Sequence, residues 1–529
     1  MSRRRPLTPV LLAAALLAGG SAAAAVASVP AEPPPSAGVS LTALPFLADL
    51  PAAVAGTVAQ TQADAVAAAA AAARRAEARR RAEAARLQRS PTPEAVLRRA
   101  WLLHLESREV YDAQRAILSR ARLAARTLGG GRGAEQRAAV AVVDGLAAAR
   151  ILTADRLPAV LLTLQRNTDW WTRRGAPPYG RSIVRGNDPV TLRYVPGQGL
   201  VLHELGSWGR VNWLAGACLR DRVHCPRRRL ATSIERLMAL AVRRDGVVRA
   251  ESYFSFGGAR APWISGMTQG TLIQALTRAS VVLGSAPDRR RAKAALGAFS
   301  RPAPAGVAVP DAGGRLYVMY SSNPGLHVLN GHLQALTGLR DLATLGGSAR
   351  AATLFRRGER AARVELRRTD TGAWSRYSAG GAESTVSYHR LVTGFLANLC
   401  ARGAGRRYCA ASVRFRRYLT QPTAVVVRAA ARPRSQRATS ILVWISKVST
   451  VRLAVRDVRG RVVLWRTAVL PRGAHRFAWA APHHGRYRIR VTALGPGSPP
   501  AGTGVATVRV LPTHLRMKHP RPKTTGKGR

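Results

Sequence analysis

Between about residues 92 and 420, apolar side chains recur at intervals of three and four, which places them on one face of a helix. Leu391, Phe395 and Leu399 show this spacing. The Ser-Pro-Thr-Pro stretch at residues 90–93 is typical of a helix start, because Thr can cap and Pro fits the first turn. The pattern predicts helices over residues 93–126, 135–151, 157–171, 228–243, 268–284, 328–345, 350–366 and 385–400.

Residues 421–511 have a different pattern, in which short runs alternate apolar and polar positions. The Arg-Tyr-Arg-Ile-Arg-Val run at residues 486–491 is an example with a period of two. Such runs separated by turns predict a small β-sandwich of the immunoglobulin or fibronectin type. We expect seven strands, over residues 423–427, 438–446, 449–456, 461–468, 473–479, 485–493 and 504–511.

The N-terminal part has little to bury. Residues 1–27 combine three arginines, a short apolar stretch and an Ala-Val-Ala site, which is typical of a secretory signal peptide that is cleaved rather than retained as an anchor. Residues 28–91 are predicted to form a spacer rich in Pro and Ala, followed by a solvated helical stalk over about residues 61–90. Residues 512–529 form a basic tail with no core-forming pattern.

Segments rich in Gly and aromatic residues separate the helices of residues 92–420, and several lead directly into the next helix. This layout is typical of an α/α toroid (an incomplete α/α barrel), in which the connecting loops line a groove. We therefore expect a mainly α protein with an N-terminal helical stalk, an α/α-toroid domain and a C-terminal β-sandwich.

The charge balance narrows the class of partner. The 529 residues include 83 Lys and Arg against 27 Asp and Glu, a net charge of +56. A field of this size attracts polyanions, although the heavy use of Arg over Lys is also typical of a compositional bias of the genome. No nucleic-acid-binding motif accompanies the charge, so we expect an acidic polysaccharide as partner and no nucleic acid. Association with a cell wall or membrane surface through the charge, and a homodimer, stay open.

The four cysteines fall into two couples that are close in sequence. In an exported protein such local couples indicate disulfide bonds, whereas neither spacing is the C-x-x-C of a zinc site. We expect one bond between Cys218 and Cys225 and another between Cys400 and Cys409. We predict a secreted or cell-surface protein.

Four segments combine aromatic residues, Gly and hydrogen-bonding side chains at junctions between loops and helices. Aromatic faces stack on sugar rings, and the polar groups bond to hydroxyls, so we expect these segments to line a sugar-binding groove, although core packing is the alternative for any single aromatic residue. The candidate ligands they supply are Tyr194, Gln198 and His203; Tyr253, Trp263 and Gln269; Tyr320 and Asn330; and Arg376, Tyr377, Tyr388 and His389.

The order of these motifs resembles a known family. The pieces are Tyr-x-Pro-Gly-Gln-Gly from Tyr194, Pro-Trp-Ile-Ser-Gly-Met-x-Gln-Gly from Pro262, Val-Leu-Asn-Gly from Val328 with a Tyr eight residues earlier, and Asp-Thr-Gly from Asp370 followed by Tyr377 and Tyr388-His389. Residues 160–405 resemble the C-terminal catalytic domain of the D-glucuronyl C5-epimerase family, which acts on heparosan-like glycans. The resemblance implies an α/α barrel and three functional tyrosines, Tyr320, Tyr377 and Tyr388.

Inverting C5 of a uronic acid removes a proton next to a carboxylate and returns one from the opposite face. We expect Tyr320 and Tyr388 to form the acid/base pair on opposite faces, with pKa values lowered by nearby cations, and Tyr377 to assist. Donors are also needed on the carboxylate, for which Arg181, Arg278 and Arg376 are candidates. His389 either orients a tyrosine or packs in the first turn of its helix. This chemistry needs no cofactor, and we expect no metal.

Two other functions stay open. A polysaccharide lyase forms the same carbanion at C5 but expels the substituent at C4. A non-catalytic protein that binds acidic glycan at the cell surface is favoured by Met319, because the family often carries an acidic residue immediately before the first key tyrosine.

Overall fold

The computed structural model describes residues 52–513 except 257–259, 312 and 498, so the predicted signal peptide, the start of the spacer and nearly all of the basic tail lie outside it. Two compact units divide the chain, residues 1–78 and 79–529. The predicted stalk is a helix, α1 (Ala52–Leu87), whose side chains are mostly exposed. No helix within the described residues is both long and apolar enough to span a membrane.

The first helices of the second unit differ from their prediction in one place. The single helix expected over residues 93–126 is wrong, because two helices occupy it. The chain turns at His104, whose φ is 55°, and Ser107 then caps the next helix by accepting a hydrogen bond from Val110 N at 3.2 Å. The helices are α2 (Pro93–Leu102), α3 (Arg108–Thr127), α4 (Gly130–Ala148) and α5 (Leu157–Trp171).

The remaining helices include four that the sequence pattern does not predict, α6, α9, α10 and α14. Helix α6 contains several glycines, and one of them, Gly216, lies against Arg278, because a Cβ there would be 2.9 Å from Arg278 Nη1. The helices are α6 (Glu204–Arg220), α7 (Arg227–Met238), α8 (Gly266–Leu283), α9 (Ala286–Ala295), α10 (Gly297–Ser300), α11 (Leu329–Thr344), α12 (Ala349–Thr369), α13 (Val386–Ala401) and α14 (Arg406–Tyr418).

Helices α8 and α11 form the centre of this region. They approach very closely, since a Cβ on Gly338 would lie only 2.0 Å from the Gly270 carbonyl oxygen. Helices α6 and α9 pack on α8, and α12 and α13 pack on α11. The mainly helical class of this part is therefore confirmed, whereas closure of the helices into an α/α toroid stays a prediction.

Short antiparallel strands occupy several of the segments between helices that were expected to be loops. They pair locally, β1 with β2 and β2 with β3, β4 with β5, β6 with β7, and β8 with β9. Their effect is to fix the backbone of the aromatic motifs. The strands are β1 (Ser182–Val184), β2 (Thr191–Val195), β3 (Gly199–Leu202), β4 (Val242–Arg244), β5 (Val247–Arg249), β6 (Glu251–Ser252), β7 (Trp263–Ile264), β8 (Ala308–Asp311) and β9 (Gly314–Tyr317).

The C-terminal region contains all seven predicted strands. They form two antiparallel sheets with the orders β10-β11-β14 and β13-β12-β15-β16. In β15, Tyr487, Ile489 and Val491 are buried and the arginines between them are exposed, as a period of two requires. The strands are β10 (Val425–Ala429), β11 (Thr439–Ile445), β12 (Ser449–Arg456), β13 (Val462–Leu470), β14 (Gly473–Trp479), β15 (Gly485–Leu494) and β16 (Gly502–Val510).

Polar contacts join the strands of this region to the helices. Glu383, in the loop before α13, accepts hydrogen bonds from the backbone N–H groups of Val448 and Arg472 at 2.8 and 2.9 Å. The buried Lys447 ammonium donates to the Tyr418 carbonyl at 2.7 Å. The β-region is thus attached to the segment that carries Tyr377.

Both predicted disulfide bonds are present. Cys218 is bonded to Cys225 and Cys400 to Cys409, with Cα–Cα distances of 4.7 and 4.8 Å. The first bond closes the turn from α6 to α7, and the second joins α13 to α14.

Candidate active site: a cluster of three tyrosines

A small apolar cluster, separate from the main core, gathers four of the aromatic motifs. Its buried members come from β2 and β3, from the segment around β7, and from the loop that precedes α11. Because each segment is held by a neighbouring strand, the cluster has a defined wall although no single element spans it. The members are Val195, Val201, Phe254, Trp263, Tyr320 and Val328, with Met319, Leu326 and Tyr377 packed against them.

Trp263 is the central ring of this wall. Its indole N–H donates to the Phe254 carbonyl at 2.7 Å, and its ring lies edge-on to Tyr320 with centroids 5.3 Å apart. Phe256, which is partly exposed, lies 6.0 Å from Tyr320 on another side. The Tyr320 ring is therefore fixed by aromatic neighbours.

Two backbone connections bring the tyrosine loops together. Ser321 pairs with Ile264 of β7 through hydrogen bonds of 3.0 Å in both directions. Val328 forms an isolated antiparallel bridge with Ser378. The first connection holds Tyr320 against β7, and the second brings the loop of Tyr377 alongside the loop of Tyr320.

Tyr320, Tyr377 and Tyr388, called the tyrosine cluster below, lie together. Tyr377 is in the middle, because its hydroxyl interacts electrostatically with the hydroxyls of both Tyr320 and Tyr388. The rings of Tyr377 and Tyr388 meet edge to face with centroids 4.9 Å apart. Tyr320 is 4% exposed, whereas Tyr377 and Tyr388 are only half-buried, so the cluster is accessible from the side of those two residues.

The electrostatics of the tyrosine cluster correct one expectation. Tyrosine was expected to serve as acid or base if nearby cations lower its pKa, but burial raises the pKa of all three hydroxyls above the ordinary value of 10. The effect is largest at Tyr377, where the neighbouring Tyr320 hydroxyl raises the pKa further. In the unliganded protein all three groups are therefore protonated at neutral pH.

Two residues that the sequence did not single out act on the tyrosine cluster. The positive charge of Arg193 lowers the pKa of both Tyr320 and Tyr388, and Tyr179 has the opposite influence on both. The Arg193 Nε is buried and has no partner among the described residues. Arg193 follows Leu192 and precedes Tyr194 in β2, both buried, so strand alternation was the one signal that placed it on the other face.

Several predicted sugar ligands instead hold the surrounding backbone. Tyr194 donates to Glu135 at 2.9 Å, which raises its pKa to about 12 together with burial. The Gln198 amide exchanges hydrogen bonds of 2.9 and 2.7 Å with the backbone of Ser255. Fully buried Gln269 does the same for Val248 and Ala250, and Tyr253 is buried against Glu251.

The predicted histidines and Asn330 are also largely internal. His389 is fully buried, with Nδ1 2.8 Å from Ser375 Oγ and Nε2 2.8 Å from the Phe415 carbonyl, so it packs in the helix rather than orienting a tyrosine of the cluster. Burial and Arg193 lower the pKa of His203 to about 4. Asn330 is 2% exposed, and its amide has no partner within the described part of the chain.

The three arginines proposed for the substrate carboxylate have separate locations. Arg278 lies in the helical core, bonded to Asp341 and Asn212 at 3.1 Å each, which leaves it committed to packing. Arg376 donates to the Gly381 carbonyl at 2.6 Å inside its own loop. Arg181 is exposed beside β1. Arg193 is better placed than any of them, because it acts on two of the three tyrosines.

One group of side chains has ligands of the kind that a metal ion takes. Ligand atoms of Asp311, His327 and Glu365 lie within 4.8 Å of one another. The Arg368 guanidinium, however, already bonds to Asp311 at 3.2 Å and to Glu365 at 2.7 Å. Because this cation bridges the two carboxylates, the group is accounted for as an ion-pair network.

Residues 244–415 match the family model of the D-glucuronyl C5-epimerase C-terminus. The matched region contains the whole tyrosine cluster and Trp263, and the match supports an epimerase-like function. The resemblance inferred from the motifs is confirmed for this region. These matched residues, 244–415, are called the C5-epimerase region below. Arg193 and the Tyr194 motif lie outside it.

Other comparisons add little to the C5-epimerase match. No curated protein matches the chain. Two solved structures of the CARDB domain of a Pyrococcus furiosus protein, a crystal structure in complex with di-metal ions and an NMR structure, are 16% identical to it. Each covers 17% of this chain, and the matches span 92% and 97% of the two CARDB chains with a TM-score of 0.14.

Proposed function

We propose that this chain is a uronyl C5-epimerase, which inverts C5 of uronic acid residues in an acidic polysaccharide by proton transfer through tyrosines. The observation that carries the proposal is the convergence of Tyr320, Tyr377 and Tyr388 on one partly open site within the C5-epimerase region. Three widely separated sequence positions bring the same functional group to one place. Phenolic hydroxyls can take up and return protons, which is what inversion requires.

The order of the hydroxyls suggests a division of roles. Tyr320 and Tyr388 both interact with Tyr377, and both feel the charge of Arg193. Those two are therefore the better candidates for proton transfer at C5, whereas Tyr377, whose pKa is raised most, stays protonated beside them. This assignment keeps Tyr320 and Tyr388 as the acid/base pair.

Arg193 is the candidate that binds the substrate carboxylate. Removing the proton at C5 places additional negative charge on that carboxylate, and a guanidinium close to it stabilises the charge. The Arg193 Nε is buried without a partner among the described residues, so it retains hydrogen-bonding capacity for an anion. Its charge simultaneously favours ionisation of the two tyrosines that would act as the base.

The direct test is exchange of the C5 hydrogen. The full-length protein is incubated with heparosan in D₂O, and deuterium at C5 is measured by NMR together with the ultraviolet absorbance that marks an unsaturated uronate. Deuterium uptake without chain cleavage is the expected result. The variant Tyr320→Phe should abolish uptake, and retained uptake in that variant would remove Tyr320 from the proposed chemistry.

A lyase is distinguished by the same experiment, because it expels the substituent at C4 and absorbance rises as the polymer shortens.

A non-catalytic glycan-binding protein is favoured by one observation. Met319 packs in the apolar wall beside Tyr320, where an acidic residue is usual in the family that this region resembles. Glycan binding with no exchange at C5 on heparosan or on alginate-type polymers would support that alternative.

We also propose that the protein is exported. The signal-like residues 1–27 and the two disulfide bonds both support an extracellular location. Mass spectrometry of the N-terminus of the mature protein, together with fractionation of culture medium and cells, tests this. An intact N-terminus in the cytoplasm would contradict it.

A further inference from the structure

A cavity of about 500 Å³ borders strand β7, next to the tyrosine cluster. Its volume is in the range of pockets that hold small ligands. Trp263 and Ile264 line the cavity, and the same two residues contact Tyr320 and Ser321 on the site side. Strand β7 is therefore common to both. The charged residues of this cavity, called the arginine pocket below, are Arg156, Arg244, Asp245, Arg249, Glu251 and Arg301.

One pair of these charges is balanced within the wall. Arg156 and Glu251 are both buried and form a two-pronged ion pair, with Nε–Oε2 at 2.7 Å and Nη2–Oε1 at 3.1 Å. Arg156 Nη1 also donates to the Ile151 carbonyl at 2.6 Å. This pair is satisfied and adds no net charge to the arginine pocket.

The remaining charges are unequal. Asp245 is the one further carboxylate that lines the cavity within the described residues, and it faces three arginines. Its Oδ2 lies 3.4 Å from Arg301 and 3.9 Å from Arg249. A single exposed carboxylate cannot neutralise three guanidinium groups, so the arginine pocket has an excess of positive charge.

Arg249 is the residue for which this imbalance matters most. It is 7% exposed, and its Nε is buried with no hydrogen-bond partner in the part of the chain that the structure describes. Burial, followed by the neighbouring charge of Arg301, lowers its pKa. A buried cation whose hydrogen bonds are incomplete is unfavourable unless an anion completes them. The empty space of the cavity is where such an anion would fit.

We propose that the arginine pocket binds an anionic substituent, a carboxylate or a sulfate ester, on a sugar near the one held at the tyrosine cluster. The inference rests on the proposed function, since it takes the same acidic polysaccharide as ligand. Guanidinium groups bind both oxyanions through paired hydrogen bonds. Trp263, shared by the two sites, places this subsite beside the reacting sugar and gives the polysaccharide a second anchor.

The test measures binding of a heparosan octasaccharide by calorimetry at low ionic strength, with the full-length protein. Arg249→Gln and the exposed Arg244→Gln should each weaken binding roughly tenfold, the factor expected for losing one charged hydrogen bond. Arg244→Gln guards against misfolding of the buried variant. Asp245→Asn removes the competing carboxylate and should strengthen binding, while Arg356→Gln and Glu109→Gln, exposed residues that do not line the pocket, control for net charge.

Two further ligands identify the source of the anion. Carboxyl-reduced octasaccharide should bind all variants equally, and inorganic sulfate should compete only weakly with the acidic octasaccharide. Equal loss in Arg356→Gln and Arg244→Gln, or equal weakening of the carboxyl-reduced octasaccharide in the pocket variants, would overturn the proposal. Binding is measured without reference to turnover, so absence of C5 exchange would count against the epimerase function alone. Conversely, normal exchange with unaltered KM in the arginine variants would count against the pocket alone.

Discussion

Two aromatic groups from the same short stretch of chain have opposite characters. Trp374 and His389 stack face to face with centroids 3.8 Å apart, and every polar atom of these two rings has a partner inside the protein. Tyr377 lies three residues after Trp374, and Tyr388 lies one residue before His389. The rings of these two tyrosines meet edge to face and remain half-buried. The first pair holds the loop onto α13, and the second pair lies on the accessible side of the tyrosine cluster.

The difference teaches that local composition does not separate structure from function here. Tyr388 and His389 are consecutive on α13, and the helix turns one side chain toward the site and the other into the core. What distinguishes them is whether the polar atoms are satisfied by protein groups. A residue with complete internal hydrogen bonding is expected to affect stability, and one without it is expected to affect turnover.

The largest expected effect separates this pair directly. Tyr388→Phe removes only a hydroxyl, so C5 exchange should fall roughly 100- to 10,000-fold, the range for loss of a general acid or base. The unfolding free energy should change by less than about 1 kcal/mol. Deuterium uptake and urea unfolding of the same sample measure both quantities. Exchange within a factor of two of the original protein would place Tyr388 outside the chemistry.

The neighbouring substitution should have the opposite result. His389→Ala deletes a ring stacked between Trp374 and Phe415 together with two hydrogen bonds, so we expect a loss of about 4 kcal/mol of stability. Exchange per folded molecule should change far less than in Tyr388→Phe. A thermal melt near that of the original protein, with exchange abolished, would reverse the comparison and assign His389 to the site.

The sequence predicted much of this arrangement but not which of the polar residues hold the fold and which line the site. The three tyrosines followed from the family resemblance, and helix α5 and the seven β-strands followed from periodicity. Gln269 and His389, in contrast, were taken as ligands because their side chains are polar and lie in glycine-rich motifs. Only three-dimensional pairing shows that their atoms are used by Val248, Ala250, Ser375 and Phe415.

Arg193 was missed for a related reason. In a chain with 83 basic residues, one more arginine has no signal of its own. Its importance depends on β2 pairing with β3, which turns Tyr194 inward and Arg193 the other way. Helix α6 was missed because its glycines are unfavourable for an isolated helix, whereas in the protein it packs on α8.

The third prediction concerns pH and the buried ring. Burial lowers the pKa of His389 from 6.5 to about 4. Between these values the unfolded chain binds a proton that the folded protein does not, so stability falls as pH decreases from 6.5 toward 4. For this histidine the loss is about 3 kcal/mol at pH 4. Urea unfolding from pH 7 to pH 4 should show a weaker pH dependence in His389→Gln than in the original protein. Exposed His484→Gln is the control, and identical slopes in all three proteins would contradict the assigned burial effect.

The smallest effect concerns the other member of the comparison, the tyrosines. Their pKa values are raised above 10, so exchange should increase with pH into the alkaline range as the base form appears. Arg193 lowers the pKa of Tyr320 and Tyr388, and Arg193→Gln should move the rising limb of the profile to higher pH by less than about one unit. The profile is measured as kcat, at saturating substrate, so that weaker carboxylate binding does not obscure it. The pKa of Tyr377 is set by burial, Tyr320 and Tyr388 rather than by Arg193. A profile that shifts to lower pH, or does not shift, would therefore mean that neither Tyr320 nor Tyr388 supplies the titrating group.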